Sequence, residues 1–187
     1  MRYKVLFLVC MIFVLTTYVE AHEGIFLKFS LGPGSGFMTE FSSINGAGYA
    51  IGTKNHGIGW AFNDKFALSI TEFGGLIKKK VGEYNYINLD VPLGFGLTYY
   101  TPWDFNLFVS GGPGKVFFAH KWNEARGDVQ GKGYGINMSL EKEWMVSKRV
   151  GIGTGTQAFF IKTKDTNYEF MNFSINFIAH FYFTPVR

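Results

Sequence analysis

Four histidines are the first candidates for metal or acid–base chemistry in this chain of 187 residues: His22, His56, His120 and His180. No two of them have the close spacing that is typical of zinc ligands, so the sequence predicts no metal site. Cys10 is the only cysteine, and it lies in an apolar N-terminal run. Neither a disulfide nor thiolate chemistry is therefore expected in the mature protein.

A glycine-rich string, GPGSG at 32–36, has the spacing found in nucleotide-binding loops. In such loops the glycines open a helix whose N-terminus holds the phosphates. The string here follows a predicted strand, and no helical pattern comes after it. We interpret it as part of an outer loop and expect no cofactor.

Two carboxylates, a lysine and a histidine occupy equivalent positions in three alternating segments: Lys28, Glu141, Glu143 and His180. Side chains alternate between the two faces of a strand, and these four fall opposite the apolar face. If the strands enclose a common interior, all four point into it at similar height. A buried carboxylate without a partner is costly, and Lys28 is the best placed cation. We predict a lumenal polar cluster that holds the interior shut rather than a gate.

The segments that must position this cluster are recognised by strict alternation of apolar and polar residues. The clearest stretch, 87–100, places seven apolar residues on one face over 14 positions, much longer than an average soluble strand. At 46–62 the alternation is interrupted by 54–57, which a bulge or a frayed outer half would explain. The pattern predicts eight strands, at about 24–32, 46–62, 66–76, 84–100, 105–119, 132–146, 150–163 and 170–184.

Short and long connections alternate between these strands. Tight turns are predicted at 63–65, 101–104 and 147–149, and longer polar loops at 33–45, 77–83, 120–131 and 164–169. This asymmetry is typical of transmembrane barrels, which turn tightly on the periplasmic side. We predict an all-β fold, an eight-stranded antiparallel up-and-down transmembrane β-barrel with its first strand beside its last. The interior of so narrow a barrel is filled by side chains.

Alternation alone does not distinguish a membrane barrel from a soluble lipocalin-like carrier, which is apolar inside. Long apolar faces and few charged residues on the opposite faces favour the membrane, because lipid requires an apolar exterior. In a membrane barrel the apolar faces point outward, and we therefore expect six side chains to be exposed on the exterior: Leu89, Val91, Leu93, Phe95, Ile175 and Phe177. Aromatic residues also flank the tight turns, as at a membrane interface. We predict a periplasmic aromatic girdle of Trp60, Phe66, Tyr99, Trp103, Phe105, Trp144 and Phe183.

The N-terminus has the features of a cleaved signal peptide. Arg2 and Lys4 precede an apolar run, and Ala21 closes a sequence that a signal peptidase can cut. The predicted organisation is a signal peptide at 1–21 and an outer-membrane β-barrel domain at 22–187. Charged residues make up 17% and aromatic residues 19% of the chain, a composition that suits many strands. A net charge of +4 is too small to indicate nucleic-acid binding.

Three segments carry a resemblance to a known family: FLKFSLGPG at 26–34, LGFGLTYYTP at 93–102 and EKEWMVS at 141–147. With them the chain resembles the small eight-stranded bacterial outer-membrane barrels of the OmpA, OmpX and OmpW kind. The resemblance implies a fold and a location but no activity, since one fold hosts many functions. Such barrels often end on an aromatic residue, whereas four residues follow Phe183 here.

These observations leave several functions open. We expect an integral outer-membrane protein, structural or surface-exposed, without enzymatic activity. The alternatives are a narrow conduit or binding site for small hydrophobic compounds, a lipid A-modifying enzyme, and the soluble carrier. The expected partners are outer-membrane lipids, lipopolysaccharide and the outer-membrane assembly machinery, with no nucleic acid. The oligomeric state is not determined by the sequence.

Overall fold

The computed structural model describes residues 23–39, 46–103, 105–121, 128–166 and 169–184, so the predicted signal peptide lies outside the described part. Eight strands account for nearly all of it. Their bounds are β1 Gly24–Thr39, β2 Gly46–Ala61, β3 Phe66–Val81, β4 Tyr84–Tyr100, β5 Phe105–Ala119, β6 Asp128–Ser147, β7 Val150–Thr163 and β8 Glu169–Tyr182.

The eight strands form one closed antiparallel barrel in chain order. The ring closes between the first and last strands, where Lys28 of β1 pairs with His180 of β8. Every strand therefore has hydrogen-bonded neighbours on both sides, as a bilayer requires. This confirms the predicted fold class and topology. The described residues include no helix that is both long and apolar enough to cross a membrane.

The three tight turns meet at one end, called the lower end below. Each turn is stabilised by a side chain at its start. Asn63 Oδ1 accepts hydrogen bonds from the backbone amides of Lys65 (2.9 Å) and Phe66 (2.8 Å). Thr101 Oγ1 and Ser147 Oγ accept similar bonds, of 3.1 and 3.2 Å, in the other two turns. Asn, Ser and Thr favour turns because their side chains can replace a backbone partner in this way.

The upper connections are shorter than predicted, because several strands are longer. The prediction of a loop at 77–83 is wrong: β3 continues to Val81, and only two residues, Gly82 and Glu83, connect it to β4. Gly82 has a φ of 59°, which glycine adopts without steric cost. β1 likewise continues to Thr39 through the glycine string, and β6 begins at Asp128. These segments are polar because they lie above the apolar exterior, not because they leave the sheet.

Four of the six orientation predictions are confirmed. Leu93, Phe95, Ile175 and Phe177 point outward, with exposed fractions of 50%, 71%, 64% and 77%. The other two are wrong, because Leu89 and Val91 are completely buried inside the barrel.

A bulge in β4 explains this reversal. Thr71 pairs with Gly94 and Phe73 with Val91, so the intervening Glu72 faces two residues of β4, at 92–93. Pro92 has no amide hydrogen to contribute to a ladder, and proline in strands is tolerated at bulges. The extra residue reverses the faces of the strand above it. β2 has a similar register shift between Ala50 and Gly52, a few residues from the predicted interruption.

Candidate functional site

The four residues of the predicted lumenal polar cluster lie inside the lower half of the barrel. Lys28, Glu141, Glu143 and His180 are each at most 5% exposed, and we call them the ionic layer. Lys28 of β1 forms an ion pair with Glu141 of β6, on the opposite side of the lumen. Ser139 donates a hydrogen bond of 2.5 Å to the same carboxylate. Lys28 Nζ also lies 4.2 Å from the centre of the Phe108 ring, a favourable position for a cation.

The second carboxylate, Glu143, has several partners. Tyr182 donates to its two oxygens at 3.0 and 3.1 Å, and Asn106 Nδ2 donates to Oε2 at 3.4 Å. His180 Nδ1 lies 2.8 Å from Oε2, but the ring is not aligned for a hydrogen bond, so this contact is an ion pair when the imidazole is protonated. A Cβ at Gly151 would collide with the Glu143 carboxylate. Glycine on the adjacent strand therefore makes room for the buried acid.

Neutral polar side chains form the layer above the ionic layer. Asn176 donates hydrogen bonds to Ser30 (2.9 Å) and to Gln157 (2.5 Å), and its Oδ1 accepts one from Thr53 (2.9 Å). These contacts join β1, β2, β7 and β8 across the lumen. The lower half of the interior is thus crosslinked by polar side chains at two heights.

The upper half of the lumen is filled by an apolar cluster that the sequence reasoning did not predict. Its centre is an edge-to-face pair, Phe73 of β3 and Phe159 of β7, with ring centres 6.4 Å apart. We call the whole cluster the upper core; it consists of Ala50, Phe73, Ile77, Val81, Ile87, Leu89, Val91, Val116, Phe118, Phe159, Ile161 and Phe170. Such packing leaves no polar route through the described interior.

On β2, β3 and β4 the exterior changes character at the same height as the interior. Around the lower half it is a continuous apolar surface, of the kind that faces lipid. Its members include Ile25, Phe29, Ile58, Leu68, Ile70, Leu93, Phe95, Leu107, Val109, Ile136, Met138, Leu140, Ile152, Ile175 and Phe177. Above it, on the outside of β2, β3 and β4, Lys54 forms ion pairs with Glu72 and, at 3.1 Å, with Asp90.

The seven predicted girdle residues are placed at the lower end. Trp60 and Trp103 are 61% and 76% exposed, and the rings of Phe66 and Tyr99 are 5.2 Å apart. Phe105 is also exposed and lies 5.3 Å from Lys142 Nζ. The remaining two are Trp144, near the end of β6, and Phe183, just after β8. Such a ring suits a membrane interface, where aromatic side chains meet both lipid and water.

Lys142 lies between Leu140 and Trp144 on the outer face of β6, and it bends toward this interface. Its Nζ lies 3.5 Å from the carbonyl oxygen of Trp103. Long cationic side chains commonly reach the aqueous boundary in this way.

The fold has close counterparts among solved structures. Neisserial surface protein A matches with a TM-score of 0.61 and 10% identity over 86% of this chain and 97% of its own. Ail, the attachment invasion locus protein of Yersinia pestis, matches with a TM-score of 0.53 and 12% identity over 85% and 99%. The fold is that of a small outer-membrane β-barrel. The sequence itself matches no protein-family profile and no curated protein.

Sequence reasoning missed residues whose roles depend on contacts across the barrel. Asn106 and Phe108, both inward on β5, complete the surroundings of Glu143 and Lys28. The upper core does have a signal in the sequence. In β3 and β5 the apolar residues move from one face to the other half-way along the strand. No group of three or more potential metal ligands lies together in the described part of the chain.

Proposed function

We propose that this protein is an integral outer-membrane barrel with a closed interior, serving a structural and surface-presenting role. The observation that carries this proposal is that two different sets of side chains block the lumen at two heights. The ionic layer crosslinks the lower lumen, and the upper core fills the lumen above it. A conduit for small hydrophobic compounds would require the upper core to move aside. The proposal includes no catalytic residue, because His180 contacts Glu143 inside the barrel instead of facing lipid.

Transport measurements test the closed interior. The full mature chain is reconstituted into planar bilayers and into liposomes, with a general diffusion porin as the positive control. We expect no conductance steps, and uptake of a panel of hydrophobic solutes equal to that of protein-free liposomes. Uptake that rises with the amount of barrel would overturn the closed interior in favour of the conduit.

Location and orientation are tested by single cysteines, since Cys10 is the only native one. Glu83→Cys lies in the two-residue upper turn, and Asp64→Cys lies in a lower turn as its matched control. On intact cells a membrane-impermeant maleimide is expected to label the first variant only. Labelling of Asp64→Cys alone would mean that the barrel is inserted in the opposite orientation. Both variant proteins should be found in the outer-membrane fraction of the cells.

A further inference from the structure

A row of lysine and tyrosine side chains crosses the outside of the barrel near its upper end. Lys78 of β3 pairs with Tyr49 of β2 on one side and with Tyr86 of β4 on the other. Lys80 lies two residues further along β3, within a register shift that follows Lys78, and both lysines are exposed. Together with Lys121, beyond the end of β5, these residues border an open recess of about 560 Å³. We call this set the basic rim.

The charge of the basic rim is strongly positive. Four lysines, Lys78, Lys79, Lys80 and Lys121, line the recess, and none of the described residues that line it is acidic. Within the described part of the chain, neither Lys78 nor Lys80 has an acidic partner at ion-pair distance. The exterior lysine lower on the same wall is different, because Lys54 is neutralised by Glu72 and Asp90. Clustered cations in a recess concentrate anions from solution.

The aromatic residues restrict the kind of anion. Tyr49 is 81% exposed. A tyrosine ring offers an apolar face with a polar tip, which matches the alternating apolar and hydroxyl surfaces of a sugar. A flat ring on either side of a lysine therefore suits a saccharide that carries phosphate groups better than a bare inorganic ion.

Height identifies where such a saccharide would come from. Lys78 lies six residues above Glu72, which is the first charged residue on the outer face of β3. At about 3.3 Å per residue and a tilt near 40°, this distance is about 15 Å along the membrane normal. The basic rim is therefore above the acyl chains and beside the sugars of the outer leaflet. We propose that it binds the phosphorylated core saccharide of lipopolysaccharide; the proposal rests on the outer-membrane location proposed above.

A charge-matched pair of variants tests the site. Lys78→Gln/Lys80→Gln removes two charges from the basic rim, and Lys148→Gln/Arg149→Gln removes two from the exposed lower turn. Each full-length protein is placed in nanodiscs, and binding of purified lipopolysaccharide oligosaccharide with a phosphorylated core is titrated at low and physiological salt. We expect the rim variant to bind about fivefold or more weakly and the turn variant to bind like the wild type.

Dephosphorylated oligosaccharide completes the test. Removing the phosphates should weaken binding to the wild type by a similar factor and have little further effect on the rim variant. Equal binding by all three proteins, or a loss that does not depend on phosphate, would overturn the site. Heparin binding without oligosaccharide binding would assign the rim to a soluble polyanion and overturn the proposed source. The conductance and labelling experiments do not depend on this result. They would therefore show separately whether the proposed outer-membrane location or the proposed closed interior is wrong.

Discussion

On the wall formed by β2, β3 and β4, the lower and upper halves of this barrel have opposite polarity. The lower half is polar inside and apolar outside, whereas the upper half has an apolar core and, on this wall, an ionic exterior. The first arrangement is that of a membrane barrel, and the second is that of a water-soluble one. One continuous set of hydrogen-bonded strands thus faces lipid in one half and water in the other. The backbone pairing is the same in both halves, and the side chains alone determine which solvent each half suits.

The largest expected effect is in the ionic layer. Lys28→Met leaves the Glu141 carboxylate buried without its cation, which should lower the free energy of unfolding by about 3–5 kcal/mol. Lys142→Met, on the adjacent outward position, is the matched control and should cost far less. Urea titration of the barrel in lipid vesicles, followed by tryptophan fluorescence, measures both. The double variant Lys28→Met/Glu141→Leu should recover most of the loss, and failure to recover would show that the pair does not act as a unit.

A loss of similar size is expected from the upper core. Phe159→Ala removes a fully buried ring that packs on Phe73, and such truncations cost about 3–5 kcal/mol. Phe160→Ala, its outward neighbour, should cost less than about half as much. The same unfolding titration compares the two. Equal losses would mean that the upper interior is not packed as a core.

The lower exterior should be sensitive to charge. Phe177→Arg introduces a cation into the apolar surface, which costs about 2–4 kcal/mol near the middle of a bilayer. Leu76→Arg, on the outer face of β3 above Glu72, is the control and should cost less than about 1 kcal/mol because water reaches that height. Unfolding in vesicles tests both variants. A large penalty at Leu76 would mean that the membrane extends over the upper half.

The smallest effect is expected where the upper exterior is ionic. Lys54→Gln breaks contacts with Glu72 and Asp90, which are partly exposed, so the loss should be about 1 kcal/mol or less and should shrink in high salt. A loss several times larger and independent of salt would indicate that these charges lie in hydrocarbon. Titrations at two salt concentrations distinguish the cases.

Comparison of β4 with β5 shows what the sequence could and could not predict. In β5 the apolar positions move from the outer face, at Leu107 and Val109, to the inner face, at Val116 and Phe118. That change of phase is visible in the sequence. In β4 the bulge at Pro92 exchanges the inward and outward positions of the strand. It lies at the height where apolar residues are needed inside the barrel instead of outside, so apolar residues continue at every second position. The two reversals cancel, and the strand has the pattern of an uninterrupted lipid-facing one.

The lower half was more predictable than the upper half for a physical reason. Strand existence, the closed topology and the inward direction of Lys28 and Glu141 follow from alternation, which is a local property. The hydrogen bonds of Asn106, the packing around Phe159 and the length of β3 depend on neighbours distant in sequence. The sequence prediction places the polar residues at 78–80 in a loop, because polar runs often mark the end of a strand. Here the polar run marks a strand that continues into water.

The ion pair across the lumen also has a consequence for the order of assembly. Lys28 and Glu141 are 113 residues apart in sequence, whereas each capped lower turn joins strands that are adjacent. Hairpins can form early because closing a short loop costs little entropy, while the seam between β1 and β8 must join the ends of the domain. Until that seam closes, Glu141 lacks the partner that it has in the closed barrel. Insertion of a partly closed sheet into lipid would thus expose an unpaired carboxylate, which couples closure of the barrel to its insertion. The sheet in which β1 has not yet paired with β8 should therefore stay at the membrane surface.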